Sequence, residues 1–300
     1  MTRIILFVLT NLAIIVVGGI VLHLLGFQGI LAQNGVDLDL GGLFLFALVF
    51  GFAGSILSLL ISKPMAKWSM KVQTITQPTN STEQWLVSTV QELAKKAGIG
   101  MPEVGVFPAQ QSNAFATGWN RNNALVAVSS GMLNRFNADE VRAVLGHEIG
   151  HVANGDMITL SLMQGVMNTF VIFFSRVIGF FVDRVLLKNE RGLGIGYYVT
   201  TIVMDILLGF LAAMMVAAFS RHREYRADQA GAELADRGAM VRALQRLQAE
   251  YEVPNAMPES MVAFGINGGG LRGLKNLFAS HPPLDKRIAA LQNGGAVTKY

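Results

Sequence analysis

Two almost unbroken apolar runs, residues 4–27 and residues 40–61, constrain this chain more than any other feature. Each run is long enough to cross a bilayer as a helix of about 20 residues. The chain is 52% hydrophobic and only 15% charged, whereas a soluble domain carries about 25% charged residues. A signal peptide is the alternative for the first run, but the run exceeds the usual apolar core and no convincing cleavage site follows. We therefore predict a retained membrane hairpin.

The charges that flank these runs predict their orientation. Residues 28–38, between the runs, contain Asp37 but neither Lys nor Arg, whereas Lys63, Lys67 and Lys71 follow the second run. Positively charged residues accumulate on the cytoplasmic side of membrane segments. We therefore expect the N-terminus and the chain after Lys63 to lie in the cytoplasm.

Two later apolar segments, residues 157–182 and residues 196–219, are weaker candidates because Arg176 and Asp205 interrupt them. Each charge would cost a few kcal/mol in a bilayer unless it pairs, reaches the interface or faces protein. The basic connection between the segments would lie outside the cytoplasm, against the charge rule, so a re-entrant or interfacial hairpin is an alternative. Either arrangement splits a soluble domain. We therefore predict a membrane hairpin over residues 1–61 and the first half of the soluble domain over residues 62–156. A second hairpin over residues 157–219 and the second half of the soluble domain over residues 220–300 follow.

The strongest chemical motif is the His-Glu-Ile-Gly-His sequence of residues 147–151. It reads H-E-x-x-H, a zinc-binding signature of metalloproteases. On a helix, His147 and His151 share one face and can bind one metal ion. Glu148, between them, can take a proton from a water molecule that the metal holds. The motif therefore predicts a hydrolytic metal centre.

The residues around the motif predict the helix that the chemistry requires. Asn137 and Glu140 form a capping box at its start. Gly155 with Asp156 is typical of a helix end. We expect the motif to lie on one continuous helix between these signals.

A catalytic zinc ion needs a third protein ligand, and the chain has no cysteine to supply it. Met157 stands where a closely following third histidine would be. Farther along, Glu224 and Asp228 are four residues apart, so one could bind the metal while the other orients a histidine. The spacing favours Glu224 but leaves His222 open. The alternative is a charged patch that contacts lipid headgroups, formed by Arg221, Arg223 and Arg226.

The other soluble segments predict a mostly α fold with a small β-sheet. Ser81 and Gln84 form a capping box for a helix that Gly98 ends. Two short apolar runs predict strands, with a turn at Gly118 before the second. The predicted strands are residues 104–107 and 124–128. The predicted later helices are residues 233–251 and 284–291.

The H-E-x-x-H motif, the E-Y-x-A-D sequence of residues 224–228 and the two hairpins together resemble the HtpX family of membrane-bound zinc metalloproteases. The resemblance to the CAAX prenyl proteases is more distant. The HtpX resemblance covers essentially the whole chain. It implies a multi-pass membrane protein with a split gluzincin-type domain and one Zn²⁺ per chain. The implied metal ligands are His147, His151 and Glu224, with Glu148 as general base.

The same resemblance implies roles for residues whose own patterns are weak. Asp228 and Arg287 are implied to support the ligands, and Arg287 could pair with Asp228 or Glu224. His281 is implied to donate a hydrogen bond to the developing oxyanion, although helix capping or packing is an equal alternative. An edge strand beside the cleft is implied to bind substrate by strand addition, although the residues alone suit an ordinary loop: Asn113, Ala114, Phe115 and Ala116.

The function implied by the resemblance is an endopeptidase of the bacterial cytoplasmic membrane. Its expected substrates are misfolded or damaged membrane proteins, within a stress-related quality-control role, and its other partner is the lipid bilayer. The alternative is a narrower CAAX-type or peptide-processing metalloprotease. A non-catalytic metal-binding scaffold is disfavoured because metal binding does not require the base Glu148. The net charge of +4 without a dense Lys/Arg run predicts no nucleic-acid partner.

Overall fold

The computed structural model describes residues 38–252 and 281–293. The first predicted membrane run, residues 4–27, lies outside the described residues, as does most of the acidic loop that follows it. Most described residues are helical, and the described β structure is one four-stranded sheet. The predicted fold class, mostly α with a small sheet, is therefore confirmed.

Three described helices are long and apolar enough to cross a membrane. Helix α1 spans Leu40–Ser69, helix α5 spans Asp156–Phe180 and continues as a π-helix over Phe181–Leu186, and helix α6 spans Ile195–Leu234. The two charges that weakened the later segments lie close to each other, because Arg176 Nη1 is 3.4 Å from Asp205 Oδ1. Pairing lowers the cost of such charges in lipid.

Small residues allow two of the apolar helices to pack closely. These residues lie in a compact unit made of described residues 38–57 and 161–215. A Cβ at Gly51 of α1 would lie 2.6 Å from Thr169 Oγ1 of α5, and one at Gly165 would lie 2.8 Å from Ser55 Oγ. Real side chains do not approach so closely. Close backbone contact through small residues is a common way for membrane helices to associate.

A second compact unit contains the sheet and the H-E-x-x-H motif, in described residues 58–160, 216–252 and 281–293. The strands are β1 Gln73–Thr74, β2 Glu103–Phe107, β3 Ala114–Asn120 and β4 Asn123–Ser129. Their order in the sheet is β1-β2-β4-β3, in which β2 and β4 are parallel and the other neighbouring pairs are antiparallel. Strand β3 is therefore at an edge of the sheet among the described strands.

The turn predicted at Gly118 is wrong, although both predicted strands are confirmed as parts of β2 and β4. Gly118 lies inside β3, where the register with β4 shifts between Gly118 and Asn120. Its φ is 145°, and a Cβ there would lie 2.4 Å from Asn123 O. Glycine is thus required by a strand irregularity, and the chain reverses a few residues later.

The other described helices of this unit are α2 Ser81–Ala97, α3 Ser130–Arg135, α4 Ala138–Asn154, α7 Arg237–Glu252 and α8 Leu284–Gln292. Apolar side chains of α2 and α4 pack with β2 and β4 in the largest core cluster of the described residues.

Two predicted helix boundaries shift. The N-cap of α2 is Asn80, which accepts a hydrogen bond from Glu83 N at 2.9 Å, so the capping box predicted at Ser81 is one residue late. The helix predicted from residue 233 begins at Arg237, because α6 continues to Leu234.

The lysines that follow the second apolar run hold the end of α1 against the sheet. Lys63 Nζ lies 2.6 Å from Glu103 Oε1, and Lys67 pairs with Glu103 Oε2. Burial raises the pKa of the Glu103 carboxyl, but hydrogen bonds from Lys63 and Lys67 outweigh this and lower it. Two of the three lysines that predicted the orientation therefore also have a structural role.

Candidate active site

Helix α4 carries the H-E-x-x-H residues and is fixed at both ends. Asn137 Oδ1 accepts a hydrogen bond from Glu140 N, and Glu140 Oε2 accepts one from Asn137 N, which confirms the predicted capping box. A good N-cap stabilises a helix by about 1 kcal/mol. Gly155 ends the helix with a φ of 68°. The rings of His147 and His151 lie on one face, with centroids 4.7 Å apart.

Glycines bring helix α6 against this region of α4. A Cβ at Gly150 would lie 2.6 Å from Ala230 Cβ, and one at Gly231 would lie 2.9 Å from Ala143 O. Larger side chains would push the two helices apart. This close approach brings Glu224 of α6 beside the two histidines. The packing role of Gly150 and Gly231 could not be predicted from the sequence, because each glycine contacts a residue about 80 positions away.

The imidazoles of His147 and His151 converge with the carboxylate of Glu224. His147 Nε2 is 3.5 Å from Glu224 Oε2, and His151 Nε2 is 3.3 Å from Glu224 Oε1. Within the described part of the chain, this is the one cluster of at least three potential His or carboxylate ligands, with ligand atoms within 4.8 Å of one another. His222 is exposed and outside the cluster. The geometry therefore favours Glu224 as the third ligand.

The three side chains fit a zinc ion. Two ligands of a tetrahedral zinc ion, each about 2.0–2.1 Å from it, lie about 3.3 Å apart, close to the observed separations. The Glu224 carboxylate is buried, and nitrogens of His147, His281 and Arg287 lie close to its Oε2. A buried carboxylate needs compensating positive charge, which a bound zinc ion would supply. Two histidines and one glutamate are also an established donor set for catalytic zinc.

Asp228 orients the first histidine. His147 Nδ1 lies 2.9 Å from Asp228 Oδ1. A carboxylate can only accept, so Nδ1 donates, and the Nε2 lone pair would then be available to a bound metal ion. Arg287 holds the carboxylate in turn, because its Nε donates to Asp228 Oδ2 at 2.8 Å and its Nη2 donates to Oδ1. Arg287 Nη1 also lies 3.3 Å from Glu224 Oε2, so both pairings suggested for Arg287 occur.

Asp156 orients the second histidine, a role that the sequence analysis missed by treating it only as part of a helix end. His151 Nδ1 lies 2.7 Å from Asp156 Oδ2. The contact forms because Gly155 ends α4 and Asp156 starts α5, which places its carboxylate beside the last turn of α4. An acidic residue directly after the capping glycine is the local signal that could have identified it.

These carboxylates change the protonation of the histidines. Burial lowers the pKa of His151, but hydrogen bonds to Asp156 and Glu224 outweigh this effect and raise it from 6.5 to about 9. Burial also lowers the pKa of His147, and hydrogen bonds to Asp228 and Glu224 raise it above its ordinary value. Without a metal ion, protons therefore take the place of the cation in this cluster.

We expect zinc binding to become tighter as the pH rises from 6.5 to about 9, because zinc must displace the His151 proton over this range. The apparent affinity should rise about tenfold per pH unit for each displaced proton. The stability of the metal-free fold should follow the opposite trend: the raised pKa of His151 stabilises the fold fully below pH 6.5, and that contribution is lost as the pH passes about 9. Calorimetric zinc titrations in buffers of different ionisation enthalpy should show at least one released proton. Proton-independent binding would contradict this expectation.

A cavity of about 250 Å³ opens beside His147 and Glu148. The half-buried Glu148 belongs to its lining and not to the three-residue cluster. His281 also lines the cavity; its side chain is 62% exposed, and its Nδ1 lies 2.6 Å from Glu224 Oε2. The apolar part of the described lining is formed by Ala114, Met132, Val144, Met240, Leu244, Leu247, Pro282 and Leu284.

The predicted substrate-binding segment lies next to this cavity. Asn113 and Ala114 belong to the lining, and Ala114 begins the edge strand β3, which continues through Phe115 and Ala116. The ring of Phe115 contacts that of Phe107, with centroids 5.4 Å apart. Since β3 pairs with β4 on one side only among the described strands, its other edge is available in this part of the structure.

The fold and the site define a class: a membrane metalloprotease with an H-E-x-x-H motif and a glutamate from a second helix. Residues 80–294 match the model of peptidase family M48. Protease HtpX of Alcanivorax borkumensis is 66% identical over 293 residues, covering 97% of this chain and 98% of that protein. Protease HtpX of Pseudomonas putida is 63% identical over 295 residues, covering 98% of this chain and all of that protein. The chain belongs to peptidase family M48.

Solved structures agree on the fold. S. mikatae Ste24p has a TM-score of 0.58 at 20% identity, with 97% of this chain and 67% of that chain covered. The resemblance to the HtpX family and the metalloprotease activity predicted from the sequence are confirmed by these comparisons.

Proposed function

We propose that this chain is a zinc-dependent endopeptidase of the bacterial cytoplasmic membrane that degrades misfolded or damaged membrane proteins. The observation that carries the proposal is the convergence of His147, His151 and Glu224 beside Glu148 at the cavity. The name of the relatives, Protease HtpX, supports the peptidase activity. The apolar helices support a membrane location.

The residues divide the chemistry between them. His147, His151 and Glu224 would hold the zinc ion, which when bound polarises the scissile carbonyl and acidifies a water molecule. Glu148 would act as the general base and acid, taking a proton from the attacking water and delivering it to the leaving amide nitrogen. Asp228 and Asp156 keep the two imidazoles in the tautomer that leaves Nε2 free. His281, at the cavity, donates a hydrogen bond to the oxyanion.

Substrate binding follows from the edge strand and the apolar cavity. An extended peptide can add to the free edge of β3 through backbone hydrogen bonds, and only an unfolded segment offers its backbone in this way. The apolar lining suits an apolar side chain next to the cleaved bond. Unfolded loops and tails of membrane proteins provide both features close to the bilayer.

The test is a proteolysis assay on the full chain in detergent or liposomes, with zinc and with a strong chelator. Unfolded membrane proteins and unfolded casein should be cleaved with zinc and spared with chelator, and natively folded soluble proteins should be spared in both. Cleavage restricted to prenylated peptides would overturn the quality-control proposal and favour the CAAX-type alternative. No cleavage of any substrate would overturn both.

We expect His281→Ala to lower kcat by about 10²-fold, the usual effect of removing an oxyanion donor, with little change in KM. Zinc content should stay near one per chain, because His281 is outside the ligand cluster. Peptide turnover and metal analysis on the same preparation measure both effects. Unchanged kcat would assign His281 to capping or packing.

We expect reporter fusions after Lys71 and after Tyr300 to lie on the same, cytoplasmic side. The lysines after the second apolar run predict this orientation, and a single metal site needs an even number of crossings between His151 and Glu224. Paired cytoplasmic and periplasmic reporters measure it, and opposite sides would contradict the site. A third fusion near residue 189 distinguishes a spanning second hairpin from a re-entrant one.

A further inference from the structure

Arg223 is buried next to the site but is neither a ligand nor part of the cavity lining. Its side chain is only 6% exposed, which is unusual for arginine unless it is paired. Nη1 donates to Asp156 O at 3.1 Å and lies 3.9 Å from Asp156 Oδ2. Nη2 donates to Ser220 Oγ at 2.9 Å, and the guanidinium lies over the Phe219 ring. The suggested headgroup contact is therefore wrong for Arg223.

The contacts of Arg223 give His151 the same kind of supporting groups as His147 has. His147 is oriented by Asp228, and Arg287 holds the Asp228 carboxylate. His151 is oriented by Asp156, and Arg223 binds the backbone of Asp156 and lies near its carboxylate. Each imidazole thus contacts the carboxylate of an aspartate, and a buried guanidinium contacts that aspartate in turn.

The contacts from His151 through Asp156 to Arg223 connect three helices. His151 is on α4, Asp156 is the first residue of α5, and Arg223 is on α6 immediately before Glu224. Without the guanidinium, the Asp156 carbonyl would lose a donor and its buried carboxylate would lose a permanently charged neighbour. Asp156 could then move away from His151 Nδ1.

We propose that Arg223 is a positioning residue of the metal centre, which holds Asp156 where it orients His151 toward Glu224. The inference rests on the proposed zinc site and assigns Arg223 no contact with substrate. Loss of a group that supports a metal ligand typically weakens metal affinity by about 10- to 100-fold. We expect a loss near the lower end of this range, since Arg223 acts through Asp156.

The test compares zinc dissociation constants of the full chain in detergent, measured by competition with a chromogenic chelator. Arg223→Gln should bind zinc about tenfold more weakly, and Arg223→Lys less so, since its ammonium keeps the charge but not both hydrogen bonds. The matched control is Arg226→Gln. Arg226 is on the same helix and donates to Asn154 Oδ1 at 2.9 Å, so its loss should leave the affinity within about twofold.

A double-mutant cycle separates positioning from a general structural role. In an Asp156→Ala background, Arg223→Gln should cause no further loss of zinc affinity, because the group it acts through is gone. An equal loss in both backgrounds, or none in the unmodified background, would overturn the proposal. If Arg223→Gln does not fold, Arg223→Lys replaces it in the same double-mutant cycle.

The outcomes for the two proposals can be distinguished. Zinc binding without peptide cleavage would overturn the proposed peptidase function and leave the comparison of zinc affinities valid. No zinc binding by the unmodified chain would overturn both the peptidase function and the role of Arg223.

Discussion

Glu148→Gln should retain zinc and lose peptide-bond cleavage by about three to four orders of magnitude, the upper range for general acid–base catalysis. Glutamine has nearly the shape of glutamate but cannot accept the water proton or return it to the leaving nitrogen. Zinc should remain because Glu148 lies outside the cluster of His147, His151 and Glu224. Turnover of casein or a membrane substrate, together with zinc content by atomic spectroscopy, measures the two effects separately.

The matched control for this variant is Asp139→Asn. Asp139 is exposed in the first turn of the same helix and does not line the cavity, so the same change from carboxylate to amide should leave turnover close to that of the unmodified chain. Near-normal cleavage by zinc-loaded Glu148→Gln would remove Glu148 from its assigned role. Loss of zinc from that variant would instead mean that Glu148 contributes to metal binding.

The parts of this protein that follow local rules could be predicted from its sequence. The α4 helix is specified by its own caps, Asn137 and Gly155, and the spacing of His147 and His151 follows from one helical turn. The apolar helices follow from the length of their runs. The strand β3 is different, because Ala114 to Asn120 has little strand character alone, and its pairing with β4 determines its conformation. The same pairing converts the expected Gly118 turn into a strand irregularity.

The supports of the metal centre could not be predicted in this way, because they depend on how helices pack. Asp156 and Arg223 are 67 positions apart, and their contact exists only when α5 and α6 meet beside α4. The contacts of Gly150 with Ala230 and of Gly231 with Ala143 also join residues that are far apart in sequence. Spacing alone favoured Glu224 without excluding His222. The resemblance to a known family made that choice specific, and the distances to Glu224 now support it.

Glu224→Gln should abolish cleavage and sharply weaken zinc binding, whereas His222→Gln should do neither. Glu224 contributes the one negative charge among the three candidate ligands, and the neutral amide of glutamine is a much weaker zinc donor. Its oxygens lie 3.3 Å from His151 Nε2 and 3.5 Å from His147 Nε2. His222 is exposed on the same helix and does not belong to this cluster. Zinc stoichiometry after dialysis against a weak chelator distinguishes the two variants.

His222→Gln is itself the matched control, because it replaces a potential ligand two residues away on α6 and should keep about one zinc per chain. Thermal unfolding of the metal-free forms shows whether Glu224→Gln simply fails to fold. Its metal-free form should be less stable, by up to about 3–5 kcal/mol, because glutamine removes the buried carboxylate beside His147, His151 and Arg287. Zinc content is therefore compared in protein that is still folded at the assay temperature. A His222 variant that loses zinc while the Glu224 variant keeps it would overturn the ligand assignment, even with the peptidase activity intact.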